Sequence, residues 1–234
     1  MTRKPESDVA DAVAARRRPR YAAVLFDVDG TLLDSTDFIV GAVEHTLRQQ
    51  GRTPPSRDRI LSVLGPALAD CYRVWCPDID PVRLCRIHRA WQVDHVREIH
   101  PYPGAADCLR ALRLVGVRVA AVTARSKLSS LGSLEHTGLG GLIEFTISAE
   151  DVAATKPDPE ALHVALDRLD VRASNAVMVG DTMADIRAGQ AAGTATIGVL
   201  YGFHGSMLAA CAPDHLVRDI AEVTPIVLGE TGGA

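Results

Sequence analysis

Five short apolar runs recur along this chain: 22–27 (AAVLFD), 117–122 (VRVAAV), 145–148 (FTIS), 176–180 (AVMVG) and 194–199 (TATIGV). Stretches of helical periodicity alternate with them near 104–115, 127–136, 158–169 and 183–192. This alternation constrains the fold more than any other feature. Strands so short and apolar have no solvent face, and intervening helices are the natural covers, so the order predicts an α/β fold on a parallel sheet buried on both faces. Gly104, Gly116, Gly138 and Gly193 stand at the joins, where helices start and stop.

One connection breaks the rhythm. About ninety residues separate the first strand from the second, far beyond an ordinary crossover. Helical patterns fill them at 35–50, 56–63, 67–75 and 80–98, the last with Leu84, Ile87, Trp91 and His95 at helical spacing. Residues 34–100 therefore read as a helical cap inserted over the strand ends, with Pro101 and Pro103 marking the return. The expected division is a tail at 1–20, a core from 21–33 and 101–234, and the cap between.

Composition sets the outer limits. A chain of 234 residues, 47% hydrophobic, supports one α/β domain with a smaller insertion. A net charge of −4 argues against nucleic acid or a membrane surface as partner, and no apolar run reaches the length of a membrane helix. Cys71, Cys76, Cys85, Cys108 and Cys211 are odd in number and form no C-x-x-C pair, which suits free thiols in a cytoplasmic protein. The N-terminal basic cluster, Arg16, Arg17, Arg18 and Arg20, lacks the apolar stretch of a secretory signal and reads as a solvated, disordered tail. A monomer or homodimer is expected.

Ligand chemistry in an open α/β sheet gathers at the carboxyl ends of the strands. Here the first strand ends in Asp27, Asp29 and Thr31, and the second in Thr123. Lys156 follows the third, and Asp181 and Asp185 follow the fourth. Each has a plain structural alternative: a D-x-D-G-T turn, a threonine satisfying backbone groups, an exposed lysine before proline, an N-cap in G-D-T. In order, each at a strand end, they make coincidence improbable.

The motifs "DVDGT" at 27–31, "VTA" at 122–124, "TKP" at 155–157 and "GDTMAD" at 180–185 resemble the four-motif signature of the haloacid dehalogenase superfamily. The resemblance covers nearly all of residues 21–202, and implies a Rossmann-like three-layer core. The insertion and "GVLYGF" at 198–203 look like the phosphoglycolate phosphatase and β-phosphoglucomutase-like branch. Haloacid dehalogenases themselves lack the second acid of the first motif, so Asp29 points to the phosphoryl-transfer members.

That resemblance implies a Mg²⁺-dependent phosphatase acting on a small, phosphoglycolate-like phosphate ester. Asp27 would be the nucleophile and form an aspartyl-phosphate, and Asp29 the general acid and then base. Asp27, Asp181 and a backbone carbonyl, that of Asp29, would form the hard-oxygen Mg²⁺ site, with Asp185 one helical turn on in support. Thr31 and Thr123 would donate to phosphate, Lys156 would hold it, and Gly30 and Ala124 would let the backbone approach. Arg125 stands where the branch often has Asn or Ser. It is a candidate contact to a substrate carboxylate or second phosphate, with an exposed arginine an equal alternative.

The "LGPAL" stretch at 64–68 resembles a cap loop of phosphoglycolate phosphatases and related pyrophosphatases, although a turn between helices explains it slightly better. Tyr72 and Arg73 are further candidates to face the site, and Trp75 and Trp91 belong to the cap core. His45, His88, His95 and His100 show no metal-ligand pattern and read as surface or core, and no role follows for His204. Other functions in view are an inorganic pyrophosphatase, a phosphosugar mutase and, in a different class, a catalytically silent metabolite-binding protein.

Overall fold

The computed structural model describes residues 18–230, so the expected tail, with Arg16 and Arg17, lies outside the described residues up to position 17. The first strand, β1 (Ala23–Phe26), leads into a small antiparallel ribbon of β2 (Leu33–Asp34) and β3 (His100–Pro101), pairing Leu33 with Pro101 and Asp34 with His100. Then follow β4 (Arg118–Val122), β5 (Thr146–Ile147), β6 (Ala176–Gly180), β7 (Ala195–Val199) and β8 (His215–Val217). Among the described residues the main sheet has six strands in the order β5-β4-β1-β6-β7-β8, every neighbouring pair parallel.

Strand pleating sends alternate residues to opposite layers. Val24, Phe26, Val119, Ala121, Val177 and Val179 join one apolar cluster, which also holds Leu109 and Leu112 of helix Ala105–Leu114 and Val223 and Val227 of helix Val223–Leu228. Ala23, Leu25, Ala120, Val122, Ala176 and Met178 join the other, against Leu162 and Leu166 of helix Glu160–Leu169 and Ala188 of helix Met183–Ala192. The result is the Rossmann-like three-layer α/β core that the alternation and the resemblance imply. Strand ends agree with the expected runs to within one residue.

The chain leaves β1 at the sheet's centre, fills one side with β4 and β5, then returns to place β6 on the other side. The order therefore reverses around β1. That switch point opens a crevice at the carboxyl ends of β1, β4 and β6, where Asp27, Thr123 and Asp181 stand.

Between β2 and β3 run four α-helices among the described residues: α1 (Thr36–Gln49), α2 (Arg57–Leu61), α3 (Leu68–Trp75) and α4 (Pro81–His95). They share a separate apolar cluster built on Val40, Val43, Leu47, Ile60, Tyr72 and Leu84. Ser56 caps α2 by accepting from the Arg59 amide, and Asp80 caps α4 just ahead of Pro81. The core helices continue the numbering as α5 (Ala105–Leu114), α6 (Lys127–His136), α7 (Glu160–Leu169), α8 (Met183–Ala192) and α9 (Val223–Leu228).

Two departures from expectation matter. The chain after residue 199 adds β8 and α9, for which the apolar pattern provides no signal. On α4 the inward face is Leu84, Cys85, His88 and Gln92, rather than the stripe of Leu84, Ile87, Trp91 and His95. The helix turns polar residues inward where they meet polar partners, His88 the Tyr72 hydroxyl and Gln92 the Ser129 hydroxyl, and apolar periodicity cannot report such a face. The five cysteines are free thiols, as expected, and among the described residues no helix is long and apolar enough to cross a membrane.

Candidate active site

Asp27 follows β1 while still bound to the sheet, its amide donating to the Val179 carbonyl at 2.9 Å. The side chain is thereby delivered from a rigid strand. The turn then closes tightly: the Gly30 amide donates to the Leu33 carbonyl, and the Leu32 and Leu33 amides to that of Val28. Gly30 has a φ of 80°, and a Cβ there would collide with the Asp181 carboxylate. Glycine is required at this position on both counts.

Around Asp27 the loops bring a buried charged cluster together. Lys156, 3% exposed, places Nζ 2.5 Å from Asp27 Oδ1, 2.6 Å from Asp185 Oδ1 and 2.8 Å from the Val122 carbonyl. Asp181 is fully buried and accepts from the Phe203 amide at 2.7 Å and the Thr31 hydroxyl at 3.2 Å. Asp185 accepts from the amide and hydroxyl of Thr182, the N-cap of α8, at 2.9 and 2.6 Å. The cap in "GDT" is thus Thr182, so helix capping and clustering of acids coexist in one turn.

Oxygens of Asp27, Asp181 and Asp185 lie within 4.8 Å of one another. Three carboxylates beside one ammonium leave an excess negative charge inside the protein. Burial pushes Asp27 up to about 7, against the pull of Lys156 and with the push of Asp185. Burial, then Asp27 and Asp185, hold Asp181 well above the usual carboxylate range. Lys156 is raised in spite of its burial, because Asp185 and Asp27 flank it. Clustered hard oxygens short of positive charge fit a small divalent cation such as Mg²⁺.

Asp29 takes another direction. Its carboxylate accepts from Arg125 Nη1 at 2.9 Å and is not part of the three-acid group. The sequence reading assigned the metal only its carbonyl, and nothing here conflicts with that. Thr123 Oγ1 accepts from the Arg125 amide at 3.2 Å, and Ala124 and Arg125 line the cavity beside it. The Lys156 ammonium donates to Asp27 and the Val122 carbonyl and pairs with Asp185, so in this arrangement it holds Asp27 rather than standing free for phosphate.

Above the acids the cavity has a volume of ≈ 100 Å³. Leu64, Gly65, Pro66 and Leu68 of "LGPAL" line it, so the stretch is more than a turn. A Cβ on Gly65 would lie 3.1 Å from Thr182 Oγ1, which shows how closely this loop rests on the Asp181–Asp185 turn. Tyr72 is buried away from the cavity but reaches His88, with 2.9 Å between its hydroxyl and His88 Nδ1, and Arg73 is exposed and pairs with Asp70.

The family model for "Haloacid dehalogenase-like hydrolase" matches residues 24–199, three quarters of the chain. The chain belongs to the haloacid dehalogenase-like hydrolase family. Among curated relatives, a pyrophosphatase PpaX of Bacillus pumilus is 34% identical over 207 residues, covering 87% of this chain and 95% of the relative. Among solved structures, a predicted phosphoglycolate phosphatase from Haemophilus somnus 129PT has a TM-score of 0.81 at 21% identity, over 88% of this chain and 98% of that one. That likeness is one of fold. CbbY from Rhodobacter sphaeroides in complex with phosphate has a TM-score of 0.74 at 25% identity, over 87% and 96% of the two chains.

Within this haloacid dehalogenase-like hydrolase, sequence reasoning missed the cavity's other wall. His88, Arg89 and Gln92 of α4 line it, as does Phe203, whose amide serves Asp181. Tyr201 adds a bond from its hydroxyl to the Thr31 carbonyl at 2.8 Å. The quoted "GVLYGF" segment contained that signal, since its place just after β7 faces the switch point. His204 also acquires a place: Nδ1 accepts from the Met183 amide at the start of α8, at 3.0 Å. His88 is pushed down to about 3 by burial, reinforced by Arg125 and Arg89, and is a neutral imidazole.

Proposed function

We propose that the protein is a Mg²⁺-dependent phosphatase that hydrolyses a small phosphorylated metabolite, phosphoglycolate-like in size, through an aspartyl-phosphate on Asp27. The observation that carries this reading is the cluster at the end of β1, where Asp27 is held by Lys156 next to Asp181 and Asp185. In this reading residues 34–100 act as a cap domain over the core of 21–33 and 101–230.

Asp27, Asp181 and Asp185, with the backbone carbonyl of Asp29, would hold Mg²⁺, which when bound neutralises charge on the phosphoryl oxygens. The remaining chemistry belongs to the chain. Asp27 attacks phosphorus in line with the leaving oxygen, forming a P–O bond as the bond to the leaving group breaks. Asp29 gives the leaving alkoxide a proton. The same carboxylate then takes a proton from water, whose oxygen attacks phosphorus and releases Asp27 with inorganic phosphate. Lys156 keeps one Asp27 oxygen fixed throughout.

A second reading, an inorganic pyrophosphatase, is favoured by the name of the Bacillus pumilus relative and by Arg125 and Arg89, two cations lining the leaving-group side. A phosphate-release screen over small phosphate esters and pyrophosphate with Mg²⁺ tests both. Release from an ester such as phosphoglycolate supports the first, and preferential release from pyrophosphate supports the second. Asp27→Asn is expected to abolish turnover with its unfolding transition preserved. A folded Asp27→Asn variant that retains substantial turnover refutes the nucleophile, and a wild type inactive on every compound favours a silent binding protein.

A further inference from the structure

Arg125 buries its guanidinium where core and insertion meet, with a side chain 12% exposed. Nη1 donates to Asp29 Oδ1 at 2.9 Å. Nη2 donates to α6, at 2.6 Å to Ser129 Oγ, 3.0 Å to Ser133 Oγ and 3.3 Å to the Ser129 carbonyl. The guanidinium carbon lies 5.2 Å from the Phe38 ring centroid, on α1. Ser129 Oγ donates in turn to Gln92 Oε1 of α4 at 3.3 Å.

A carboxylate on a turn has two freely rotating side-chain bonds, and the backbone alone does not aim it. Asp29 is 10% exposed in its side chain, and among the described residues Arg125 is its one cationic partner. The fork divides the work. One terminal nitrogen grips Asp29 while the other is anchored on α6, an arrangement that the single ammonium of lysine cannot reproduce. A continuous path thus runs from Asp29 through Arg125 and Ser129 to Gln92 on the inserted helix.

We propose that Arg125 is the positioning residue for Asp29, and that the Ser129–Gln92 contact makes the aim of this carboxylate depend on where α4 sits. The inference rests on the phosphatase reading, in which Asp29 serves the leaving oxygen. Arg125 itself then touches neither phosphorus nor the leaving atom. In the first half-reaction its loss must appear where the leaving group needs a proton and be muted where it needs none.

The test compares phosphoglycolate, whose alkoxide requires a proton, with acetyl phosphate, whose acetate leaves without one, both with Mg²⁺. Arg125→Met retains the packing stem over Phe38 but has no donors. It is expected to slow single-turnover release of the leaving group from phosphoglycolate by about a hundredfold and from acetyl phosphate by less than about tenfold, a difference confined to the first half-reaction because the later attack of water needs Asp29 with either substrate. Arg125→Lys should not restore the loss, and Ser129→Ala should show a smaller loss with the same substrate bias. In an Asp29→Asn background, Arg125→Met should add nothing on acetyl phosphate, since residues acting as one unit are not additive.

Equal losses in the rate of leaving-group release from both substrates, or additive losses in the double variant, overturn the proposal in favour of a structural role. A raised KM with kcat preserved overturns it in favour of substrate binding. If Arg125→Met fails to unfold cooperatively, the substrate bias of Ser129→Ala decides the matter by the same criteria. Phosphate release from neither compound by the wild type overturns the phosphatase reading and this proposal with it. Wild-type turnover without the substrate bias overturns the positioning role alone.

Discussion

His88 offers a direct measurement of how this cavity treats charge. The ring is 2% exposed, against Tyr72, and burial, aided by Arg125 and Arg89, lowers its pKa from 6.5 to about 3. Above pH 6.5 the imidazole is neutral in folded and unfolded chains alike, and its contribution to stability is fully present. Below that pH the unfolded chain binds a proton that the folded chain refuses. Stability then falls by ~1.4 kcal/mol per pH unit until the folded group titrates. Lowering the pH from about 7.5 to about 5 should therefore cost ~2 kcal/mol through this one side chain.

The wild type alone would not isolate that figure, because Asp27 and Asp181 are raised and act in the opposite sense over part of the range. Their folded forms bind protons first, so acid relieves the crowding. The His88→Gln variant removes only the titration, and whatever packing it loses is the same at both pH values. Urea unfolding of both proteins, in EDTA to exclude metal-linked protons, should show the wild type losing ~2 kcal/mol more than the variant between the two pH values. Equal losses within about 0.5 kcal/mol, beyond the scatter of independent effects, would refute the neutral buried imidazole. So would a folded-state resonance of His88 that titrates near its ordinary pKa.

Three further outcomes follow from the same site. Lys156→Met leaves Asp27 and Asp185 buried without their ammonium, and urea unfolding in EDTA should show a loss of ~3–5 kcal/mol, where a loss below about 1 would contradict the pairing. Gly30→Ala combines a left-handed backbone with a collision against Asp181; it should destabilise by ~1–3 kcal/mol and remove phosphate release, and near-wild-type turnover would show that the turn relaxes freely. Chelation should stop turnover and Mg²⁺ restore it, while Mg²⁺ at about a hundred times its Kd should raise wild-type stability by ~2.7 kcal/mol and leave Asp181→Asn unmoved. Equal stabilisation of both proteins would place the ion elsewhere.

The core was legible because strand burial and helix periodicity are local signals. Val24 and Phe26 must go one way and Ala23 and Leu25 the other, so β1 could be drawn from four letters. The acids were legible for a related reason, since polar residues ending apolar strands have few structural uses in combination. The cavity's far wall was not. His88 and Gln92 are polar residues on an inward face, met there by the hydroxyls of Tyr72 and Ser129, partners set by the tertiary arrangement and not by the helix. Arg125 lies between these cases. Its position beside Thr123 marked it as a candidate, but only packing shows that its partner is an acid ninety-six positions earlier in the chain.

The separate fates of Asp27 and Asp29 follow from how charge is balanced on each side of the turn. Asp27 joins two other buried acids with one lysine among them, so the chain sets one cation against three carboxylates, and burial raises the Asp27 pKa to about 7. A divalent cation is the natural complement, and it would leave Asp27 ionised and able to attack. Asp29, two residues on, has been given a cation of its own in Arg125. A carboxylate held by a guanidinium is less available to a metal, an independence that suits the proton-transfer role proposed for Asp29. Gly30 makes the separation possible, since its left-handed turn admits the Asp181 carboxylate where any side chain would stand. The D-x-D pattern therefore places two carboxylates with different counterions, Asp27 sharing Lys156 with a second acid and Asp29 paired with Arg125.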